Sequence, residues 1–483
     1  MGGCAHASLL LVESMWLRKA RMNSGESSYC FPNRFALSQI PPPENDDDME
    51  SQFDVIVIGA GAAGLMAAAS AAQSGQRTLL LEKNRKLGVK ILMSGGTRCN
   101  ITHDCSVREI VAAYGRQGKF LHSALAALSP TDVIAKIEAQ GVATKIESTG
   151  KIFPVSNKAI DVRDALVRIA TEAGAKIANE SAVRSIENVA AADQTPRYKI
   201  ETDHDSFLTE KIIVTTGGKS YPGCGTTGDG YQWAIDFGHS IVPTVPALVP
   251  ILCSTKWAND LKGVTLPKVG VGVWQSAEIT AKLLAAQGKS GKSKAKRLDS
   301  TSNSFLFTHW GFSGPSVLDV SRHVAMHPHK NQLELVCDFL PETKLEPFIQ
   351  TLTDKKQSSG KQSVSNLLTE YFPKRFSETL IMASGVSPDQ KNAELSKQQL
   401  RAVGEQVKQC RFDINGTLGF EKAEVTAGGI SLKEVNGKTM ESKLQPGLFF
   451  AGEVLDLDGP IGGFNFQAAF STGWLAGQSG GGV

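Results

Sequence analysis

The chain has 483 residues, 41% of them hydrophobic and 20% charged, with a net charge of +3. That balance fits a globular protein of two or three domains, gives no reason to expect a nucleic-acid partner, and leaves no apolar stretch near the roughly 20 residues that cross a bilayer. Eight scattered cysteines without a CxxC pair argue against a disulfide scaffold or a metal site and for a reducing, cytoplasmic setting.

Residues 1–51 do not read as folded domain. A short apolar run at 8–12 precedes the basic Arg18, Lys19 and Arg21, and Pro41, Pro42 and Pro43 lead into the acidic Glu44, Asp46, Asp47 and Asp48. Apolar before basic is the reverse of a secretory signal, and the start lacks the Ser or Thr of a myristoylation site. Two readings stay open: a disordered extension that could serve organelle targeting, or a start assigned too early, with Met49 as the first residue.

From Asp54 the chain becomes regular. Val55, Ile56, Val57 and Ile58 form an apolar, β-branched run of strand length, as expected of a strand buried in a parallel sheet. Gly59, Gly61 and Gly64 follow in GxGxxG spacing, and an Ala-rich helix opens at Ala62 and Ala63 and ends at Gly75. A dinucleotide needs this arrangement. One glycine makes the tight turn, one lets backbone approach a pyrophosphate, one lets helix meet strand, and the helix N-terminus offers free N–H groups. Residues 78–81 form a second strand ending at Glu82, one helix and one strand beyond Gly64, where a carboxylate can accept hydrogen bonds from ribose hydroxyls. Lys83 stands beside it as a further cofactor candidate, although with Arg85 and Lys86 it also reads as a solvated basic face.

The next segment is a loop of small, polar and basic residues. Ser94, Gly95, Gly96 and Thr97 can present N–H groups at close range, and Arg98 can pair with a pyrophosphate or form an ordinary surface ion pair. Cys99 and Asn100 then fall where the reactive ring of such a cofactor would be reached. Helical spacing over 120–128, 130–140 and 159–173 is followed by strand-like runs at 182–186, 198–201 and 211–215. The last runs into Gly217 and Gly218, a second strand-then-glycine turn, and Tyr221 beyond it reads as packing or as a shield for the ligand.

Pro243, Pro246 and Pro250 mark a domain crossing before a strand-like stretch to about residue 282. Residues 288–297, GKSGKSKAKR, read as a solvated hairpin tip. FLFTHWGFSGP then passes from strand to turn to helix. His309, in that turn, is the acid/base candidate because its ordinary pKa lies near neutrality; a histidine bonded within a tight turn is the alternative. Residues 346–409 are mostly helical and polar. Near the end, residues 448–450 form a last strand, Gly452 and Glu453 the turn after it, and Gly462, Gly463, Phe464 and Asn465 open a closing helix of small residues.

Three segments, GVKILMSGGTRCNIT, THWGFSGP and GLFFAGEVLDLDGPIGGFNFQAAFSTG, make residues 53–478 resemble the YhiN/BaiN-like family of FAD-binding oxidoreductases, also described as NAD(FAD)-utilising dehydrogenases or aminoacetone oxidase-like flavoproteins. The resemblance implies an α/β fold: an FAD-binding Rossmann-like domain of the glutathione-reductase type, interrupted by an insert with a small β-barrel-like part and a helical part. Residues 52–245 and 425–483 are assigned to the FAD domain and 246–424 to the insert, with its helical part at about 342–410. FAD is the implied cofactor, held by the residues named above. The helix from Phe464 would then point its positive end at the flavin, and Cys99, Asn100 and His309 stand as catalytic candidates.

The expected activity is hydride transfer between the flavin and a small organic substrate. No second GxGxxG follows a strand, so NAD(P)H would serve only as a transient electron donor. The alternatives are a nucleic-acid-binding or tRNA-modifying flavoprotein using the 289–297 basic run, and a thiol/disulfide reductase using Cys99 and Cys105.

Overall fold

A computed structural model describes residues 53–190, 196–276 and 294–482. The N-terminal extension and most of the 288–297 basic run therefore lie outside the described residues.

Five short parallel strands build the central sheet, in the order Leu448–Phe450, Lys211–Val214, Val55–Ile58, Thr78–Leu81, Lys176–Ala178. Every residue of Val55–Ile58 is buried, which is why the run is uniformly apolar and not alternating. From Val55–Ile58 the next two sheet strands in sequence are added on one side and the last two on the other. That reversal makes a topological switch point, and sheets of this kind bind ligands outside the carboxyl ends of their strands there.

Helix Ala62–Gln73 follows the first strand, and the closing helix Phe464–Gly480 packs against it. The contact depends on glycine. A Cβ on Gly473 would stand 2.1 Å from the Ala63 carbonyl oxygen, and one on Gly477 2.3 Å from that of Ala67. The C-terminus of the chain thereby fixes the helix whose N-terminus faces the switch point.

The chain leaves this layer along Ile241–Ala247 and returns along Val425–Ile430, and the two crossing strands pair antiparallel, with Ile241 opposite Ile430 and Ala247 opposite Val425. Between them six strands close an antiparallel barrel: Ile251–Cys253, Gly311–Ser313, Lys296–Phe307, Thr265–Gln275, Leu333–Asp338 and Cys410–Thr417. Its core is aromatic, with Phe312 and Phe412 ring centroids 4.7 Å apart and Phe305 and Phe307 5.0 Å apart. Helices Leu345–Ser358, Lys374–Ala383 and Lys397–Lys408 join the last two barrel strands in sequence and bury Phe348, Phe376, Leu380, Leu400 and Val403 in the same core. Among the described residues no helix is long and apolar enough to cross a membrane.

Candidate active site

A cavity of about 980 Å³, near the upper end of natural small-molecule sites, runs from the carboxyl edge of the parallel sheet to the barrel. Its wall carries Gly59, Gly61, Ala62, Ala63, Glu82 and Lys83 from the fingerprint, and Ser94, Gly95, Gly96, Arg98 and Asn100 from the loop that follows. It continues through Gly217, Gly452, Glu453, Gly462, Gly463 and Asn465. Segments from near the two ends of the described chain thus meet on one surface.

At the fingerprint end the three glycines have different work. A Cβ on Gly64 would lie 1.8 Å from the Gly59 carbonyl oxygen, so this residue fits helix to turn and stands behind the cavity wall. Gly59, at φ +101°, makes the turn itself. Gly61 has ordinary extended backbone, and a Cβ there would meet nothing within 4 Å. It keeps the wall low where a phosphate would lie. Glu82 is buried, its Oε2 accepting the Ala60 N–H at 2.8 Å and its Oε1 accepting from the Asn84 backbone and side chain at 2.9 and 2.8 Å. Lys83 turns to Asp229 at 2.5 Å and to Thr227.

The loop after residue 93 is strained. Gly95, Gly96, Thr97 and Cys99 all have positive φ, and the β-branched Thr97 at +69° is unfavourable outside glycine territory. Strain of this kind persists where the surrounding structure holds it, often at a site. Next to it, the Asn100 Oδ1 and Thr216 Oγ1 are buried with no partner, and both residues line the cavity. Buried polar atoms without partners are rare in native proteins; here they fit polar atoms of a bound ligand. Together with the open space at Gly61 and a wall continuous from Glu82 to Asn465, they suit an extended dinucleotide. Arg98 lines the cavity, but its guanidinium is ion-paired with Glu147 at 2.7 Å and stacked 4.0 Å over Phe153.

Cys99 is placed otherwise than expected. It is fully buried behind the wall, and burial pushes its thiol up to about 12, so it stays protonated and out of reach. Cys105 is likewise pushed up to about 11, burial again being the larger cause. A thiol/disulfide couple is not what this geometry supports.

At the C-terminal end Glu453 accepts the Thr426 N–H at 2.9 Å and pairs with Lys90 at 2.7 Å, tying the returning strand to the wall. Asn465 closes the Gly459–Gly463 loop on itself: its Oδ1 accepts the Gly459 N–H at 2.8 Å and its Nδ2 donates to the Gly459 carbonyl at 2.9 Å. Phe464 lies off the cavity wall, stacked on His103 with centroids 4.9 Å apart. Gly463, at φ +96°, caps the closing helix and itself faces the cavity.

His309 does not belong to the site. The backbone reverses at Thr308–Gly311, with the Thr308 N–H donating to the Gly311 carbonyl at 2.8 Å, and returns as Gly311–Ser313. His309 is left exposed at the hairpin tip against Trp310, while Ser313, Gly314 and Pro315, on the far side of the reversal, face the cavity. The His309 imidazole therefore does not line the cavity where an acid/base group would act.

The barrel end of the cavity is walled by the apolar Leu248, Leu306, Leu318 and Ile461 and by Tyr221, Lys151 and Glu424. Tyr221 is in left-handed backbone at φ +55°, and burial pushes its hydroxyl up to about 12. Lys151 and Glu424 have no mark in the sequence. Lys151 sits in Lys151–Pro154, the middle strand of a small antiparallel sheet, and Glu424 sits immediately before the returning crossing strand. The only sequence signal for Glu424 is its place at a domain crossing, where ligand sites gather.

The model of the HI0933-like protein Rossmann domain matches residues 53–479. The chain is 34% identical over 435 residues to a ribosomal RNA dihydrouridine synthase of Haemophilus influenzae, covering 89% of this chain and 99% of that one. It is equally identical over 430 residues to the Escherichia coli protein of the same name, covering 88% and 98%. A 3-dehydro-bile acid delta(4,6)-reductase of Clostridium scindens is 29% identical over 426 residues, again 88% and 98% of the two chains. The chain belongs to the HI0933-like family and is an FAD-dependent oxidoreductase.

Proposed function

We propose that this protein reduces a carbon–carbon double bond conjugated to a carbonyl group, and that the uracil ring of ribosomal RNA is the substrate its relatives favour. One observation carries the reading: three relatives, each matched over 98% or more of its length, bear names that describe a single chemistry. Dihydrouridine is uridine whose ring double bond, conjugated to a carbonyl, has gained two hydrogens. A delta(4,6)-reductase acting on a 3-dehydro-bile acid saturates ring double bonds conjugated to a ketone. A net charge of +3 gave no reason to expect nucleic acid, but whole-chain charge says little about one local contact.

On this reading, Gly59, Gly61, Ala62, Ala63 and Glu82 hold the adenosine and pyrophosphate end of FAD. Ser94, Gly95, Gly96, Arg98, Asn100, Gly217, Gly452, Glu453, Gly462, Gly463 and Asn465 line the remainder, and Lys83 braces Asp229 beside it. FAD, when bound, supplies hydride-transfer chemistry. The protein's part is to orient a flat unsaturated ring against Leu248, Leu318 and Ile461 and to exclude water around it. Polar groups at the same end of the cavity then meet the charge and the proton that the reaction moves. A nicotinamide is a candidate donor of electrons, visiting the same cavity and leaving before the substrate enters.

The test is anaerobic spectroscopy on the FAD-reconstituted protein. After reduction with dithionite, a uridine-containing ribosomal RNA fragment or 2-cyclohexenone should restore the oxidised flavin absorbance, and nucleoside mass analysis should find uridine that has gained two hydrogens. Return of colour with the enone alone would move the substrate class to small carbonyl compounds. Failure of both, or a protein that takes up no FAD, overturns the proposal.

A further inference from the structure

Four carboxylates stand on the cavity wall, and three are committed. Glu82 holds Ala60 and Asn84, Asp229 holds Lys83 and Thr227, and Glu453 holds Thr426 and Lys90. Among the described residues, the fourth, Glu424, has no hydrogen bond or ion pair to its carboxyl. Its backbone is fixed, the N–H donating to the Leu248 carbonyl at 3.1 Å where the two crossing strands meet. Its side chain is open to the cavity while protein surrounds it. Lys151 lines the same end of the cavity and is equally uncommitted among the described residues, and no ion pair joins it to Glu424. An acid and an ammonium thus line the same end of the cavity as the apolar Leu248, Leu318 and Ile461. Both side chains are therefore free to engage a molecule that enters this end of the cavity.

We propose that Glu424 is the acid that delivers a proton to the carbon next to the substrate's carbonyl, with Lys151 holding the oxygen on which negative charge collects. The inference rests on the conjugate-reduction reading above. The farther alkene carbon takes a hydride, and with it two electrons, from reduced flavin; the π bond breaks, and charge moves to the carbonyl oxygen beside the Lys151 ammonium. The nearer carbon then takes the proton from the Glu424 carboxyl, which is left as carboxylate and regains a proton from water. Two C–H bonds form, one π bond is lost, and the flavin is oxidised.

A proton donor must hold its proton near neutral pH. Burial raises the Glu424 carboxyl above its ordinary value; Lys151 and Lys90 pull it down by less, and Asp319 adds to the rise. Tyr221 faces the same carboxyl. The enclosure thus outweighs the two ammonium groups and favours the acid form that the step requires.

The experiment compares wild type, Glu424→Gln and Lys151→Met as FAD-loaded proteins, with flavin content and spectrum checking that each is folded. Glu424→Gln should slow reoxidation of reduced flavin by 2-cyclohexenone or the RNA fragment by about 10²–10⁴-fold, the range for loss of a general acid, with enone affinity within threefold of wild type. The wild-type rate should fall as pH rises through the elevated carboxyl pKa, and the variant should lose that limb. A second readout needs no turnover: titration of the oxidised protein with 4-nitrophenol, whose phenolate resembles a planar enolate. Wild type should bind it more weakly as Glu424 ionises, Glu424→Gln should not, and Lys151→Met should bind it about tenfold more weakly at every pH. If wild type is reoxidised and Glu424→Gln matches it in rate and pH profile, the reaction stands and the role of Glu424 is refuted. If wild type itself is not reoxidised by either substrate, the reaction fails and the acid falls with it.

Discussion

Gly61→Ala and Gly64→Ala make the same chemical change within one turn of chain, and the structure assigns them opposite consequences. At Gly61 the backbone is extended, with φ −79° and ψ −169°, and the new methyl meets nothing within 4 Å. The apoprotein should keep its stability to within about 0.5 kcal/mol, or gain slightly because alanine restricts the unfolded chain. The methyl then projects into the space that a pyrophosphate would fill, and FAD affinity should fall about 30- to 100-fold, equivalent to about 2–3 kcal/mol. At Gly64 the Cβ would lie 1.8 Å from the Gly59 carbonyl oxygen, far inside the 3.0 Å that real Cβ contacts respect. Helix and turn must separate, at a cost of about 1–3 kcal/mol or more. Urea unfolding of the apoproteins measures the first quantity, and fluorescence titration with FAD measures the second. Equal loss of stability in both variants, or full FAD affinity in Gly61→Ala, would refute the division of labour among these glycines.

Asp319→Asn is predicted to stabilise the protein in a pH-dependent way. Burial pushes this carboxyl up to about 6 from an ordinary 3.8, so the folded protein favours the proton and loses stability as pH climbs from about 4 to about 6. The amide retains an acceptor for the Ile461 N–H, now 2.8 Å from Oδ1. Variant and wild type should unfold alike in urea at pH 4 and differ by up to about 3 kcal/mol at pH 8; equal stability at pH 8 counts against the argument. Asn465→Ala removes both clasps on Gly459 and should cost about 1–3 kcal/mol, read as about tenfold weaker FAD binding and faster proteolysis in the 459–463 loop. His309→Ala should leave the rate of flavin reoxidation and the urea midpoint unchanged, since its ring is exposed at the hairpin tip beside Trp310; a hundredfold loss of rate would restore it to the site.

Much of the cofactor half was legible because its determinants are local. Strand, glycines, helix and acid follow one another without interruption from Asp54 to Glu82, and each residue's task is set by near neighbours. The Glu82 carboxylate sits just past the end of its strand, accepting the Ala60 N–H. The C-terminal glycines were legible as a turn and helix start, though not as the surface on which Gly473 and Gly477 meet Ala63 and Ala67. The substrate half was not legible. Lys151 and Glu424 come from segments separated by the whole barrel and much of the first layer, and neither lies in a motif. His309 was misplaced for a related reason: a strand-turn-helix pattern does not reveal that a tight reversal carries the helix mouth to the side opposite the turn. Cys99 was misread because adjacency to Asn100 in sequence says nothing about which face of a strained loop each side chain takes. Cys99, in left-handed backbone at φ +60°, is buried in the core, while Asn100 lines the cavity.

The two strands that join the layers lie side by side, Ala247 opposite Val425. The chain therefore enters and leaves the barrel and its helices at adjacent points of the nucleotide-binding layer. A short turn in place of residues 248–424 would reconnect the first layer without stretching it. The same attachment lets a lineage change the barrel end of the cavity wall, including Leu306 and Leu318, while the residues at the fingerprint end stay where they are. A family built this way can hold one flavin while its members carry names as unlike as ribosomal RNA dihydrouridine synthase and 3-dehydro-bile acid delta(4,6)-reductase.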